Sequence, residues 1–234
     1  MLNSITKAMQ IKPLILLVAL TISFVTIGHA QPQNFVIKNG FGIGGGVTQL
    51  DIISDNFETM PGSGWMVLAS ATGDLPHKWY NMSYVMQMSE NTVGISGRMT
   101  DDVAGNEMID YSLFTAQVGL IMHIKLIGAN MTLDLGPQLQ YNGKLEVKNA
   151  IHNDYFINGY GTLGAEDIKN ISQINGNGMA GVSAGYGPLK VRAQYMYGIT
   201  NIFKKLNDQN LNIGDAPKFE GNQSLWAFTA IFTF

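Results

Sequence analysis

From Asn130 to Asn142 the chain sorts its side chains by odd and even position. One set is Met131, Leu133, Leu135, Pro137, Leu139 and Tyr141; the other is Asn130, Thr132, Asp134, Gly136, Gln138, Gln140 and Asn142. A helix repeats every 3.6 residues and would mix the two sets, whereas a strand sends alternate side chains to opposite faces. The segment is therefore a strand with one apolar and one polar face.

The same alternation recurs along the chain. Trp79–Glu90 sets Tyr80, Met82, Tyr84, Met86 and Met88 against Asn81, Ser83, Gln87 and Ser89. Phe114–Ile124 sets Phe114, Ala116, Val118, Leu120, Met122 and Ile124 against Thr115, Gln117, Gly119 and His123. Leu189–Tyr197 sets Leu189, Val191, Ala193, Tyr195 and Tyr197 against Lys190, Arg192 and Gln194. Gly178–Tyr186 alternates small residues with Ala180, Val182, Ala184 and Tyr186, and Lys38–Thr48 places Gly40, Gly42, Gly44 and Gly46 opposite Phe41, Ile43 and Val47. Trp65–Thr72 is strand-like with its register open, and Gln223–Phe234 carries Trp226, Phe228, Ala230, Phe232 and Phe234 on one face. These make eight strands.

The connections alternate in length. Gly73–Lys78, Lys125–Gly128 and Gly187-Pro188 are short; Asp51–Gly64, Asn91–Asp110, Gly143–Asn177 and Asn201–Asn222 are long. Short turns at one end and long loops at the other are the asymmetry of an outer-membrane barrel, with the short turns toward the periplasm. The polar faces then line the lumen and the bulky apolar faces meet lipid, the reverse of a soluble eight-stranded barrel. The expected fold is all-β: an eight-stranded antiparallel transmembrane β-barrel with short periplasmic turns and long extracellular loops. The Asn- and Gly-rich stretch 143–177 reads as a solvated or partly disordered excursion.

Export is legible at the start. Lys7 and Lys12, the uncharged run Leu14–Ile27 and then Gly28-His29-Ala30 have the layout of a cleaved signal peptide over residues 1–30, leaving a barrel domain over 31–234. The apolar run is shorter than the ~20 residues of a spanning helix. The chain has no cysteine, so its stability rests on a core or on a closed hydrogen-bonded barrel. Loss of Lys7 and Lys12 takes the formal charge from −3 to −5, which argues against nucleic acid as a partner.

Leu135–Tyr141, Gly178–Gly187, Val191–Asn201 and the terminal strand together resemble the PorT-like outer-membrane β-barrel proteins of Bacteroidetes-type bacteria. The resemblance covers most of the second half and speaks to fold. It implies a small barrel of the Gram-negative outer membrane; members include a protein tied to secretion and gliding machinery. The aromatic end with Trp226, Phe228, Phe232 and Phe234 also resembles the signal read by the barrel-assembly machinery.

Chemistry is sparse. Asp134, Lys190, Arg192 and His123 face the expected lumen, Asp134 and Arg192 at similar heights. A carboxylate there must be paired, so these four are read as a structural ion-pair network, with a proton or ion path as the sharper alternative. The loops offer His152, Asp154, Glu166, Asp167, Asp208 and Asp215, with no spacing that specifies a reaction; Asp101-Asp102 and Glu166-Asp167 are weak cation candidates without EF-hand spacing. Gly40–Gly46 lacks the lysine and helix of a phosphate loop and reads as strand glycine. No catalytic, cofactor or metal residue is assigned. The expected role is structural or interactive, through outer loops that meet an extracellular ligand or envelope protein. The alternatives are a secretion or gliding component, a narrow channel, or a loop-borne enzyme.

Overall fold

The computed structural model describes residues 38–100, 107–128, 130–209, 211 and 218–234. The expected signal peptide, the Asp101-Asp102 pair and Asp215 lie outside these residues. The strands are β1 (Lys38–Ile53), β2 (Thr59–Asp74), β3 (Tyr80–Arg98), β4 (Glu107–Ile127), β5 (Met131–Val147), a two-residue β6 (Phe156–Ile157), β7 (Ile174–Tyr186), β8 (Leu189–Gly198) and β9 (Asn222–Thr233). All pairings are antiparallel. The order is β2-β1-β9-β8-β7-β5-β4-β3, and β2 also pairs with β3, so eight strands close into a ring. β6 stands outside the ring and pairs with the outer end of β3. Closure leaves no edge within the ring, so the backbone polar groups of its strands are paired on both sides.

The alternation chooses the faces as expected over most of the wall. Phe41, Ile43, Tyr84, Met86, Met88, Leu139, Val191, Phe228 and Phe232 are exposed outside, and Asn81, Gln87, Gln117, Asp134, Gln140, Arg192 and Gln194 are buried inside. The open register of Trp65–Thr72 is settled: Trp65 and Val67 point out, while Met66, Leu68 and Ser70 point in. The strand glycines of β1 serve close approach. A Cβ on Gly46 would lie 1.9 Å from the Phe228 carbonyl oxygen, so no side chain fits where β1 bends against β9. Gly187, with φ +59°, makes the two-residue turn into Pro188.

Two expectations about the outer end are corrected. The connections expected over Asp51–Gly64 and Asn91–Asp110 are mostly strand: β1 and β2 leave only residues 54–58 between them, and β3 and β4 extend to Arg98 and from Glu107. The reason is an inversion of sidedness. Val93, Ile95, Ile109, Tyr111 and Leu113 point inward with no exposure, and their polar neighbours Glu90 and Asp110 point out. A reading tuned to apolar-outside alternation sees a loop there. The stretch 143–177 is likewise no solvated excursion. β5 takes its first part, two 3-10 turns (Ala150–Asp154 and Asp167–Lys169) flank β6, and β7 begins at Ile174. Its Ile157, Leu163, Ala165, Ile168 and Ile171 are buried.

Candidate functional site

The molecule offers two places where chemistry could reside: the lumen and the cap that closes its outer end. The short-turn end of the lumen is organised around Asp134 on β5, whose side chain is wholly buried. His123 on β4 is its register partner, and Nδ1 lies 2.7 Å from Asp134 Oδ1. Arg192 Nε lies 3.0 Å from Oδ2. Thr132 Oγ1 donates to Oδ1 at 2.6 Å, and Ser183 Oγ donates to Oδ2. Side chains from β4, β5, β7 and β8 thus surround one carboxylate, with the Arg192 Nε–H donating to Ser183 Oγ at 2.9 Å. The structure brings three of the four lumen candidates together. Lys190 is the exception: it lies two residues closer to the turn on the same face of β8 and has no ion-pair partner among the described residues.

One member escaped the sequence reading. Ser83 Oγ is 2.7 Å from His123 Nε2, so serine, imidazole and carboxylate are joined in the connectivity of a hydrolytic triad. The rest of a nucleophilic site is missing. Ser83 is 2 % exposed and its hydroxyl is already held by Thr72 Oγ1 at 2.7 Å. The backbone of β3 around it is paired to β2 and β4 on both sides, leaving no free N–H pair to hold an oxyanion. The chain Thr72–Ser83–His123–Asp134–Arg192 ties β2, β3, β4, β5 and β8 together as a polar girder.

Above it the lumen is crossed by amides. Gln87 on β3 and Gln194 on β8 stand on opposite walls and exchange contacts of 3.5 and 3.4 Å. Higher, Gln140 receives Gln117 at 2.6 Å and Asn177 at 2.6 Å, and donates to Gln223 at 2.5 Å. Met66, Val85, Ile121 and Met179 fill the space between the polar layers. An eight-stranded barrel has room for little else. These side chains occupy the lumen as a packed core.

The outer mouth is closed by loops from three connections. Phe57, between β1 and β2, packs against Tyr160 at 5.8 Å, Phe203 at 5.0 Å and Phe219 at 5.4 Å between ring centroids. Tyr160 comes from the β5–β7 connection, and the two phenylalanines come from the β8–β9 connection. Arg98, at the end of β3, clamps the β5–β7 loop: Nη1 donates to the Ile157 carbonyl at 2.8 Å, and Nη2 to those of Tyr160 and Gly161 at 2.5 and 3.0 Å. Tyr111 adds a bond to the Ala165 carbonyl at 3.0 Å. Burial, with the carboxylates of Glu166 and Asp167 adding to it, pushes the Tyr111 phenol above its ordinary pKa. The loop candidates do not converge. Glu166 pairs with Lys169, Asp167 caps the Gly164 N–H at 2.8 Å, and His152 packs at a tilt against Tyr155. Among the described residues no group of three His, Asp or Glu side chains forms a metal-binding cluster.

No protein-family model and no curated protein matches the sequence. Solved structures do. Neisserial surface protein A (NspA) is 13% identical with a TM-score of 0.45, covering 83% of this chain and 97% of its own. Ail, the attachment invasion locus protein of Yersinia pestis, is 13% identical with a TM-score of 0.44, covering 84% and 99%. The outer membrane protein OprG from Pseudomonas aeruginosa is 8% identical with a TM-score of 0.46, covering 86% and 98%. The chain is a closed eight-stranded β-barrel. That conclusion stands on its own strand pairing.

Proposed function

We propose that this chain is a small outer-membrane β-barrel protein of a Gram-negative envelope, without enzymatic activity, that acts through its folded outer cap on an envelope protein or extracellular ligand. One observation carries the membrane reading. A continuous apolar belt surrounds a polar lumen and is bounded by two aromatic rims: Trp65, Phe114, Tyr141, Tyr197 and Trp226 toward the cap, and Phe41, Trp79, Tyr186, Phe232 and Phe234 toward the short turns, all exposed. The outward row of β5 from Met131 to Tyr141, at ~3.4 Å per residue and a tilt of ~40°, is about 26 Å tall, which suits a hydrocarbon band of about 25 Å. In water such a belt would be an aggregation surface.

Residues 1–30 would then direct export, and Trp226, Phe228, Phe232 and Phe234 would present the strand to the barrel-assembly machinery. The PorT-like resemblance supports this class, and a part in a secretion or gliding apparatus is the alternative it suggests. Side chains meeting across the lumen weigh against a channel, and the buried Ser83 weighs against hydrolysis.

The membrane reading is tested by migration on a denaturing gel before and after boiling, and by fractionation. A heat-modifiable band in the outer-membrane fraction is expected; a soluble periplasmic protein would overturn it. Planar-bilayer recordings should show no discrete openings, and a fluorophosphonate probe should leave Ser83 unlabelled. Deletion of the gene should impair secretion or gliding if the apparatus role holds.

A further inference from the structure

We propose that the inner mouth of the barrel is a binding site for a small phosphate-type oxyanion, held by Lys190 and Arg192. This goes beyond the envelope role and does not rest on it. A cavity of about 270 Å³ opens at the short-turn end of the lumen, and Ser70, Thr72, Asn81, His123, Lys190 and Arg192 contribute to its wall. Lys190 and Arg192 are two apart on β8, so both point inward, one above the other along the entry axis.

The charges facing the cavity are unevenly spent. Lys125 is matched by Asp74 at 3.4 Å, and Asp134 is matched by the Arg192 Nε at 3.0 Å. Lys190 has no carboxylate within 4 Å among the described residues. The Arg192 side chain is 6 % exposed, and its Nη1 has no acceptor. A buried guanidinium with a spare donor calls for an acceptor.

Small hydroxyl and amide side chains complete the wall, so the ligand must be compact and rich in acceptors. Ile231 and Phe234 add the apolar part of the wall. Phosphate fits: it accepts from a guanidinium fork and a lysine together, and it is small beside the cavity. The cavity lies within the ring of strands, so the ligand enters along the barrel axis, either as the free ion or as the tip of a lipid headgroup.

The test measures the unfolding midpoint of the full barrel in detergent while inorganic phosphate replaces chloride at constant ionic strength. Binding to the folded state alone raises the midpoint with the logarithm of phosphate above the dissociation constant. Lys190→Gln should weaken the apparent affinity at least fivefold, while Lys148→Gln at the outer end should leave it unchanged. Arg192→Lys, which keeps a cation beside Asp134 but removes the fork, should weaken it as well. Equal rises in all four proteins would mean general salting-out and would overturn the site. If Arg192→Lys fails to fold, Lys190→Gln decides alone. Repeating the titration with dihexanoyl phosphatidic acid tells the two sources apart: binding by either supports the site, and binding by neither overturns it.

Discussion

The inward row of β4 runs through two different proteins. Above Phe114 it reads Ile109, Tyr111 and Leu113, and below it Thr115, Gln117 and His123, all buried. The outward row changes in the opposite sense, from exposed Asp110 to Phe114 and Leu120. Parity never slips along β4, which keeps one register with β3 although its pairing with β5 shifts by one residue between Leu113 and Thr115, and its two faces exchange polarity. Below Phe114 the outside is lipid in the reading proposed above and the polar groups turn inward; above it the outside is water and an ordinary apolar core forms under the cap. The barrel is thus a membrane segment continued upward as a soluble one, and the medium outside decides which face is apolar.

The comparison can be broken at several points. The largest effect is expected in the polar segment. Asp134→Ala removes the partner of a buried arginine and should cost about 3–5 kcal/mol, read as the denaturant midpoint at which the heat-modifiable band is lost. The paired replacement Asp134→Leu with Arg192→Met should recover most of that, which a proton or ion path would not predict to be functionally silent. In the apolar segment, Phe57→Ala removes the centre of the aromatic cluster and should cost about 3–5 kcal/mol. Its signature differs: limited proteolysis should open the cap loops while the belt stays folded and heat-modifiable. Simultaneous loss of both would show that the two segments are one cooperative unit.

A smaller contrast tests the change of medium on one strand. Leu120→Arg, inside the belt, should destabilise by about 2–4 kcal/mol, whereas Asp110→Arg, on the same face above it, should stay within about 0.5 kcal/mol. Equal costs would remove the membrane from the explanation. The smallest effect concerns Tyr111. Its raised phenol pKa means that the folded state holds this proton more tightly than the unfolded chain. Its contribution is therefore constant below the ordinary value of about 10 and is lost as pH rises above it. Tyr111→Phe should cost about 1 kcal/mol at neutral pH through the bond to Ala165, and should flatten the alkaline loss of cap stability followed by proteolysis.

Much of this was legible in single segments. The alternation from Asn130 to Asn142 names the faces of β5, and the short turn at Gly187-Pro188 makes β7 and β8 neighbours. Counting from the turns puts Asp134 and Arg192 at one height, and they meet. The cap was not legible, because its core is assembled from Phe57, Tyr160, Phe203 and Phe219, which share no local period. Ser83 looked like one more small polar residue in a polar row; only the register of β3 against β4 places it beside His123. Arg98 sat in a stretch read as loop, and its role is set by carbonyls about sixty residues away.

Sequence by itself therefore determined the strands, their faces and the inward charges, since these follow from a period of two and from neighbours a turn apart. The tertiary structure alone decided the pairing of β1 with β9 that closes the ring, the meeting of Gln87 with Gln194 across the lumen, and the inversion of sidedness toward the cap. Each of those depends on what lies on the far side of a strand, which is other chain, lipid or water, and no periodicity within the strand reports it.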